Sequence, residues 1–405
     1  MSVKTKLWLT FGIVLITVLA LAVPAAVAAD NGKPERFIVA FEEGTPVNED
    51  ALKGLVHKFG DEGEVKILEL INGALVIVPS RAKAALGVLP GVASVEEDSL
   101  VYALDELQDG WGVDRIDAEQ AWAAGNTGDG IKVAIIDTGI DYNHPDIGGI
   151  AGGWDWVNND GDPMDDNGHG THVAGIVAAR QNGVGVVGVA PGVQLYALKV
   201  LDASGYGYWS NIIAALGWAK DNGMQVANMS LGSNVAPKAL QTAADRAYAA
   251  GVLLVAAAGN DGTGKVSYPA RYSSVIAVAA TDANDVRPWW SNFGSQVELA
   301  APGVGILSTI PGGGYAAYSG TSMATPHVAG SAALAFASGL VTDSDGKYGI
   351  ANEVRKLLQQ TADDLGPLGK DNYYGYGLVD AEEAATMAPQ AGDGGGGGKG
   401  NGKGR

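Results

Sequence analysis

Two histidines three residues apart raise the first chemical question. In NGHGTHVAG (167–175), His169 and His172 would share one face of a helix. That spacing suits a metal pair, or a catalytic base beside a packing residue. A zinc site of this kind needs a third protein ligand and a retained water, and it would leave a serine elsewhere unexplained. That serine is Ser322 in YSGTSMATPHVAG (318–330), placed where an apolar helix begins. Pro326 fits only near the start of such a helix, where its missing N–H costs little. A serine at a helix N-terminus sits in positive potential, and its own N–H is free to donate to an oxyanion. A plain helix cap is the simpler alternative for it.

A nucleophilic serine needs a base. Five histidines are present: His57, His144, His169, His172 and His327. His144 lies in the turn YNHPD, and His327 sits inside the Ser322 helix and points elsewhere. Gly168 and Gly170 flank His169 and open space beside it. Val173, Ala174, Ile176 and Val177 continue a buried helix after His172. His169 is therefore the expected base and His172 a packed first-turn residue. A base needs an orienting carboxylate. Asp137, at the end of IKVAIID, is the candidate, with Asp141 as the alternative; a strand-end aspartate is also an ordinary turn cap. Asn260, after VLLVAAAG at another strand end, could supply a second oxyanion donor through its amide. Gly-Asn-Asp-Gly is also plain turn chemistry.

The elements that must position these groups follow from hydrophobic pattern. Apolar strands are predicted at 131–137, 194–200, 225–230, 252–258 and 275–280, with helices between, such as 209–221 and 237–250. Continuous apolar strands with helical crossovers predict an α/β fold: a parallel central sheet with helices on both faces. Sites in such sheets form at the carboxyl ends of the strands. Upstream, residues 36–98 read as strand (36–41), helix (48–60), strand (64–70), Asn72-Gly73 turn, strand (74–78), a helix capped by Ser80, and a last strand VASVEE. That β-α-β-β-α-β order is a small ferredoxin-like α+β unit.

Composition narrows the function classes. Acids outnumber bases 45 to 26, so nucleic acid is not an expected partner. Cysteine is absent, which removes thiol nucleophiles, disulfides and thiolate metal sites. Lys4 and Lys6 precede an apolar run from Leu7 to Val23, followed by PAAVAAD. This is the pattern of a secretory signal peptide cleaved near Ala28 or Ala29. The run is at the short limit for a membrane anchor. The tail AGDGGGGGKGNGKGR reads as a flexible terminus. The expected organisation is a signal peptide (1–29), a small domain (30–104), a large domain (105–388) and a Gly-rich tail (389–405). No oligomerisation pattern appears, so a monomer is expected.

Taken together, DTG with DYNHPD, NGHGTHVAGIVAA, NMSLG, AAAGN and GTSMATPHVAG closely resemble the subtilisin-like serine proteases, in that family's order Asp, His, Ser. The resemblance covers roughly residues 105–388. It implies a secreted serine endopeptidase with Asp137, His169 and Ser322 as its triad and Asn260 as oxyanion donor. No triad position is substituted, which argues against a decayed, merely binding relative. It implies substrate strands on Ser230-Leu231-Gly232 and Gly205-Tyr206-Gly207. A P1 pocket is implied with Ala257, Ala258 and Gly259 as one wall and Ser267 at its floor. No charge sits at those positions, so a medium or large apolar P1 residue is expected with low stringency; Asp261 at the rim would admit a basic one. Substrates are proteins and peptides. The small unit resembles the family's inhibitory propeptide, with VYAL (101–104) in the cleft and autocleavage after Leu104.

The resemblance also implies structural Ca2+ at two sites. Asp155, Asn158, Asp160 and Asp162 alternate like ligands for a hard cation, with Met164 added, at positions used by thermitase-like relatives; Asn158 stands where an acid is usual. The other site uses Asp146, the Asn182 side chain and the carbonyls of Arg180, Val184 and Val186, joined by Gln108, whose register is off by one. A third would lie near Ala270, Tyr272 and Glu298. Without disulfides, calcium is the expected source of added stability.

Overall fold

The computed structural model describes residues 34–60, 63–68, 71–98, 110–343 and 346–388. The expected signal peptide, the VYAL segment with Leu104, Gln108 and the Gly-rich tail lie outside the described residues. The chain divides into two compact units, with the division inside the 99–109 segment.

In the first unit, β1 (Pro34–Phe41), α1 (Glu49–Phe59), β2 (Glu64–Leu68), β3 (Gly73–Pro79), α2 (Lys83–Gly87) and β4 (Val92–Glu97) follow the expected order. The sheet runs β2-β3-β1-β4, and every neighbouring pair is antiparallel. Phe37, Val39, Val76 and Val78 alternate toward α1, whose Leu52, Leu55 and Val56 are buried. Period 2 in the strands thus meets a helical stripe in one core. The expected Ser80 cap does not form: Ser80–Ala82 is a 3₁₀ turn, and α2 begins without a side-chain cap bond.

The second unit is built on a seven-stranded sheet, ordered β11-β10-β9-β8-β5-β7-β6, with every adjacent pair parallel. Its strands are β5 (Lys132–Asp137), β6 (Gly152–Asp155), β7 (Gln194–Lys199), β8 (Val226–Met229), β9 (Leu253–Ala257), β10 (Val275–Thr281) and β11 (Val297–Pro302). Beside it lies a hairpin of β12 (Ile306–Ile310) and β13 (Gly314–Tyr318). β8, β9 and β10 are buried at every position, as a sheet covered on both faces requires. Helices surround it, among them α3 (Trp111–Arg115), α4 (Ala118–Ala123), α9 (Ile350–Thr361) and α10 (Ala381–Thr386). α6 (Trp209–Asp221) and α7 (Lys238–Ala249) pack on each other and reach β5 and β9. α5 (His169–Ala178) packs on α8 (Thr321–Ala337), which runs along β8 to β11. Two strands, β6 and β11, escape the apolar pattern because GGWD and VELAAP carry polar or glycine residues.

The chain leaves β5 toward β6 and β7 on one side, then crosses to β8 on the other. The carboxyl ends of β5 and β8 therefore flank the point where strand order reverses, where a crevice must open.

Candidate active site

Asp137 is the last residue of β5 and is fully buried. His169 opens α5, with its side chain 28% exposed. The two meet: His169 Nδ1 lies 2.7 Å from Asp137 Oδ1. A carboxylate accepts only, so Nδ1 carries the proton and Nε2 is left as an acceptor. Burial pulls the His169 pKa down, but the Asp137 and Asp165 carboxylates outweigh it, and the net direction is up from the ordinary 6.5. Asp141 does not compete for the histidine; its oxygens accept the N–H groups of Asn143 and Gly312.

Gly170 does not leave open space beside the histidine. A Cβ there would stand 2.1 Å from the Gly139 carbonyl oxygen. Glycine lets the first turn of α5 lie against the chain leaving β5, which brings His169 to Asp137.

His172 is wholly buried, with Nε2 on the carbonyls of Ala316 (2.9 Å) and Ile306 (3.1 Å) and its ring stacked on Tyr318. Burial lowers its pKa to about 4. It is a packing residue joining α5 to the hairpin, and the two histidines form no pair for one metal. His327 is buried on the Met323 carbonyl, also with its pKa lowered to about 4. His144 bridges the Gly314 carbonyl and the Asp146 N–H.

Ser322 is the second residue of α8. Its hydroxyl donates to the Ser230 carbonyl at 3.2 Å rather than to His169. Ser230 in turn donates to the Ser322 carbonyl at 2.7 Å, so the strand end after β8 and the start of α8 are tied twice. The Ser322 N–H meets no acceptor among the described residues. Asn260 has its Oδ1 occupied by the Thr321 N–H and hydroxyl, each at 2.9 Å. Its amide nitrogen is thereby turned away from Thr321 and left to donate. Thr321 went unrecognised in sequence as the residue that orients this amide, although it stands beside Ser322 in GTSMA.

Ser322, Asn260, Thr321, Leu231, Gly232, Ala257, Gly259 and Ser267 line one open cleft of about 420 Å³, with Asp261, Ser233 and Asn234 at it too. Ala258, expected in the same wall, is buried and is not among the residues lining the cleft. Gly259 has φ +104°, and a Cβ there would meet Asn292 Nδ2 at 2.4 Å and Ser267 Oγ at 2.5 Å. Asn292 is a second residue that sequence reasoning missed. Fully buried, it donates to the Ala258 carbonyl and accepts from the Asp261 and Thr263 N–H groups, holding the whole wall. Gly205, Tyr206 and Gly207 are not among the residues lining this cleft. They form a turn closed on Asp202, with Tyr206 76% exposed.

The expected cation ligands differ in fit. Asp146 is fully buried, and burial raises its pKa. Its oxygens receive the Asn182 amide (3.0 Å) and the Val186 N–H (3.1 Å), and its own carbonyl accepts the Arg180 N–H. The buried Asp146 carboxylate is thus wrapped by the 180–186 loop through N–H donors, and the Asn182 side-chain oxygen accepts the Val184 N–H at 2.9 Å. The loop 155–164 is arranged differently. Asp155 is saturated by the Val157 N–H, the Asn158 N–H and the Asn158 amide. Asp160 accepts the Asp162 N–H, and Asp162 accepts the Tyr142 hydroxyl. Among the described residues no three acidic or histidine side chains gather in one place, around this loop or around Asp146. Near Ala270 and Tyr272, Glu298 is held bidentately by the Arg355 guanidinium and also accepts the Gln359 amide.

The sequence pattern of the subtilase family matches residues 128–377. The chain is 41% identical to alkaline elastase YaB of Bacillus sp. (strain YaB) over 381 residues, covering 92% of this chain and 97% of that protein. It is 42% identical to an alkaline protease of Alkalihalobacillus alcalophilus, covering 91% and 96%. It is 40% identical to subtilisin E of Bacillus subtilis (strain 168), covering 94% and 99%. With a strand-end aspartate on a helix-start histidine, and a serine at a helix N-terminus beside a free amide, the chain belongs to the subtilase family and is a serine endopeptidase of the subtilisin type.

Proposed function

We propose that this endopeptidase cleaves peptide bonds through Asp137, His169 and Ser322. The Ser322 hydroxyl turns from the Ser230 carbonyl to His169 Nε2, gives up its proton there and attacks the scissile carbonyl carbon. Asp137 keeps the proton on His169 Nδ1 and offsets the imidazolium charge. The Ser322 N–H and the Asn260 amide receive the tetrahedral oxyanion. His169 then protonates the leaving amine, and water, activated by the same histidine, releases the acyl group. The observation that carries this reading is the 2.7 Å bond between buried Asp137 and His169. A fluorophosphonate probe tests it: labelling should fall on Ser322, vanish in Ser322→Ala and persist in a zinc chelator. Labelling lost to the chelator would sink the triad reading.

The uncharged wall of Ala257, Gly259 and Ser267 supports an apolar P1 preference of low stringency, and cleavage-site profiling in which Arg or Lys dominates would overturn it. The small first unit is proposed as an inhibitory propeptide removed after Leu104, and the chain as a secreted zymogen that acts as a monomer. Among the described residues no helix is long and apolar enough to cross a membrane. A Ser322→Ala protein that still shows the cut in purified form would contradict autoprocessing. Calcium is proposed at Asp146, Asn182 and the 180–186 carbonyls, where it would supply structural cross-linking and take no part in the chemistry.

A further inference from the structure

One carboxylate near the candidate triad has no part in the proton transfers above, and it is the most heavily bonded in the site. Asp165 is 5% exposed and accepts five hydrogen bonds. Oδ1 takes the Thr138 hydroxyl (2.8 Å), the Gly168 N–H (2.9 Å) and the Asn167 N–H (3.0 Å). Oδ2 takes the Thr171 hydroxyl (2.6 Å) and the Thr171 N–H (2.9 Å). Thr138 follows Asp137 directly, and its hydroxyl also accepts the Gly170 N–H at 2.8 Å. Gly168, Gly170 and Thr171 bracket His169. One buried anion thus ties the strand end that bears Asp137 to the helix turn that bears His169.

We propose that Asp165 is the positioning residue of the catalytic histidine, fixing its approach to Asp137 and standing as a second negative charge against the imidazolium. This rests on the reading of His169 as the base. The groups facing His169 are few. Asp137 comes from β5 and Asp165 from the segment before α5. His172, one turn along α5, stays neutral through burial. The Lys199 ammonium, at the end of β7, is taken up by Asp166 at 2.6 Å and by the carbonyls of Thr138 and Leu201. Among the described residues, Asp165 is therefore the one nearby anion besides Asp137 that raises the His169 pKa.

The test is the acid limb of kcat/KM against pH, which reports the base in the free enzyme. Removing a negative charge lowers the histidine pKa. Asp165→Asn should therefore move the limb to lower pH by roughly half to one unit. It should also cut kcat roughly 10- to 100-fold with KM little changed. A purely structural role would not move the limb. Thr138→Val severs the same tie without a change of charge, so kcat should fall while the limb stays; Thr138→Ser should recover most of the loss. If Asp165→Asn yields no folded protein, the Thr138 pair decides alone. A folded Asp165→Asn with an unmoved limb, or a Thr138→Val enzyme with the parent kcat, overturns the proposal. A parent enzyme unlabelled at Ser322 by fluorophosphonate would instead sink the triad reading on which it stands.

Discussion

The Asn260 carbonyl oxygen accepts two hydrogen bonds from a single residue, the N–H and the hydroxyl of Thr321, both at 2.9 Å. This decides which end of the amide faces the cleft. Asn260→Ala should lower kcat about 10²–10³-fold with little change in KM, a magnitude known from a subtilisin's oxyanion-hole amide. Thr321→Val keeps the N–H bond and loses the hydroxyl one, along with the Gly259 N–H's acceptor. It should cost less, on the order of 1 kcal/mol or about fivefold in kcat. Equal losses in the two variants would mean that Thr321 does more than orient the amide.

The order in which these parts became legible follows from their physics. Strands with unbroken apolar runs, such as LLVAA and VIAVAAT, could be read from sequence because burial on both faces leaves no alternation to misread. β6 and β11 could not, since each is an edge strand whose glycine or polar residues break the apolar run. Asp137, His169, Ser322 and Asn260 were legible because each sits at an element end where its residue type is chemically conspicuous. Thr321, Asn292 and Asp165 were not. Their roles lie in bonds across 27 to 61 residues of chain, which spacing along the sequence does not reveal. The ion pair of Glu298 was hidden for the same reason: its counter-charge, Arg355, lies 57 residues away.

Gly259 shapes the cleft wall proposed to meet the P1 side chain. Its φ of +104° is strained for any other residue, and a Cβ would press on buried Asn292 and Ser267. Gly259→Ala should cost about 1–2 kcal/mol from the backbone alone, with the clash added. It should narrow the pocket, so kcat/KM for large apolar P1 residues falls more than for alanine. A uniform drop across P1 residues in a peptide library would refute the assignment of this wall.

A bound cation at Asp146 should show in the melting temperature. Calcium at 100 times its Kd would add about 2.7 kcal/mol. For a domain of this size that is roughly 5–10 °C. A chelator should remove this margin in the Ser322→Ala protein, where autolysis cannot confuse the scan. Asp146→Asn should start lower and respond little to chelator. Asp160→Asn should keep the full response, because Asp160 is engaged with the Asp162 N–H outside that loop. A melting temperature unmoved by chelator in the parent would refute the calcium proposal, and a response abolished by Asp160→Asn would return the cation to the 155–164 loop.

Asp380 carries a stability cost that pH should expose. It caps α10 (Ala381–Thr386), accepting the Glu383 N–H at 2.8 Å, and is 9% exposed. Burial, with Glu383, Asp363 and Asp117 nearby, outweighs that bond and pushes its pKa from the ordinary 3.8 up to about 7. Between those values the unfolded chain has released a proton that the folded chain still holds. Stability from this group is therefore intact near pH 4, falls as pH rises toward 7, and is flat above. The full loss is on the order of 4 kcal/mol. Asparagine caps a helix as well as aspartate does and cannot ionise. Asp380→Asn should thus be nearly neutral at pH 4 and stabilising at pH 8, measured by denaturant unfolding in the Ser322→Ala background. Comparing variant with parent at each pH cancels the opposing drift of His172 and His327, which are buried neutral and destabilise as pH falls from 6.5 toward 4. A stability difference that does not change with pH would show that Asp380 is ionised in the fold at its ordinary cost.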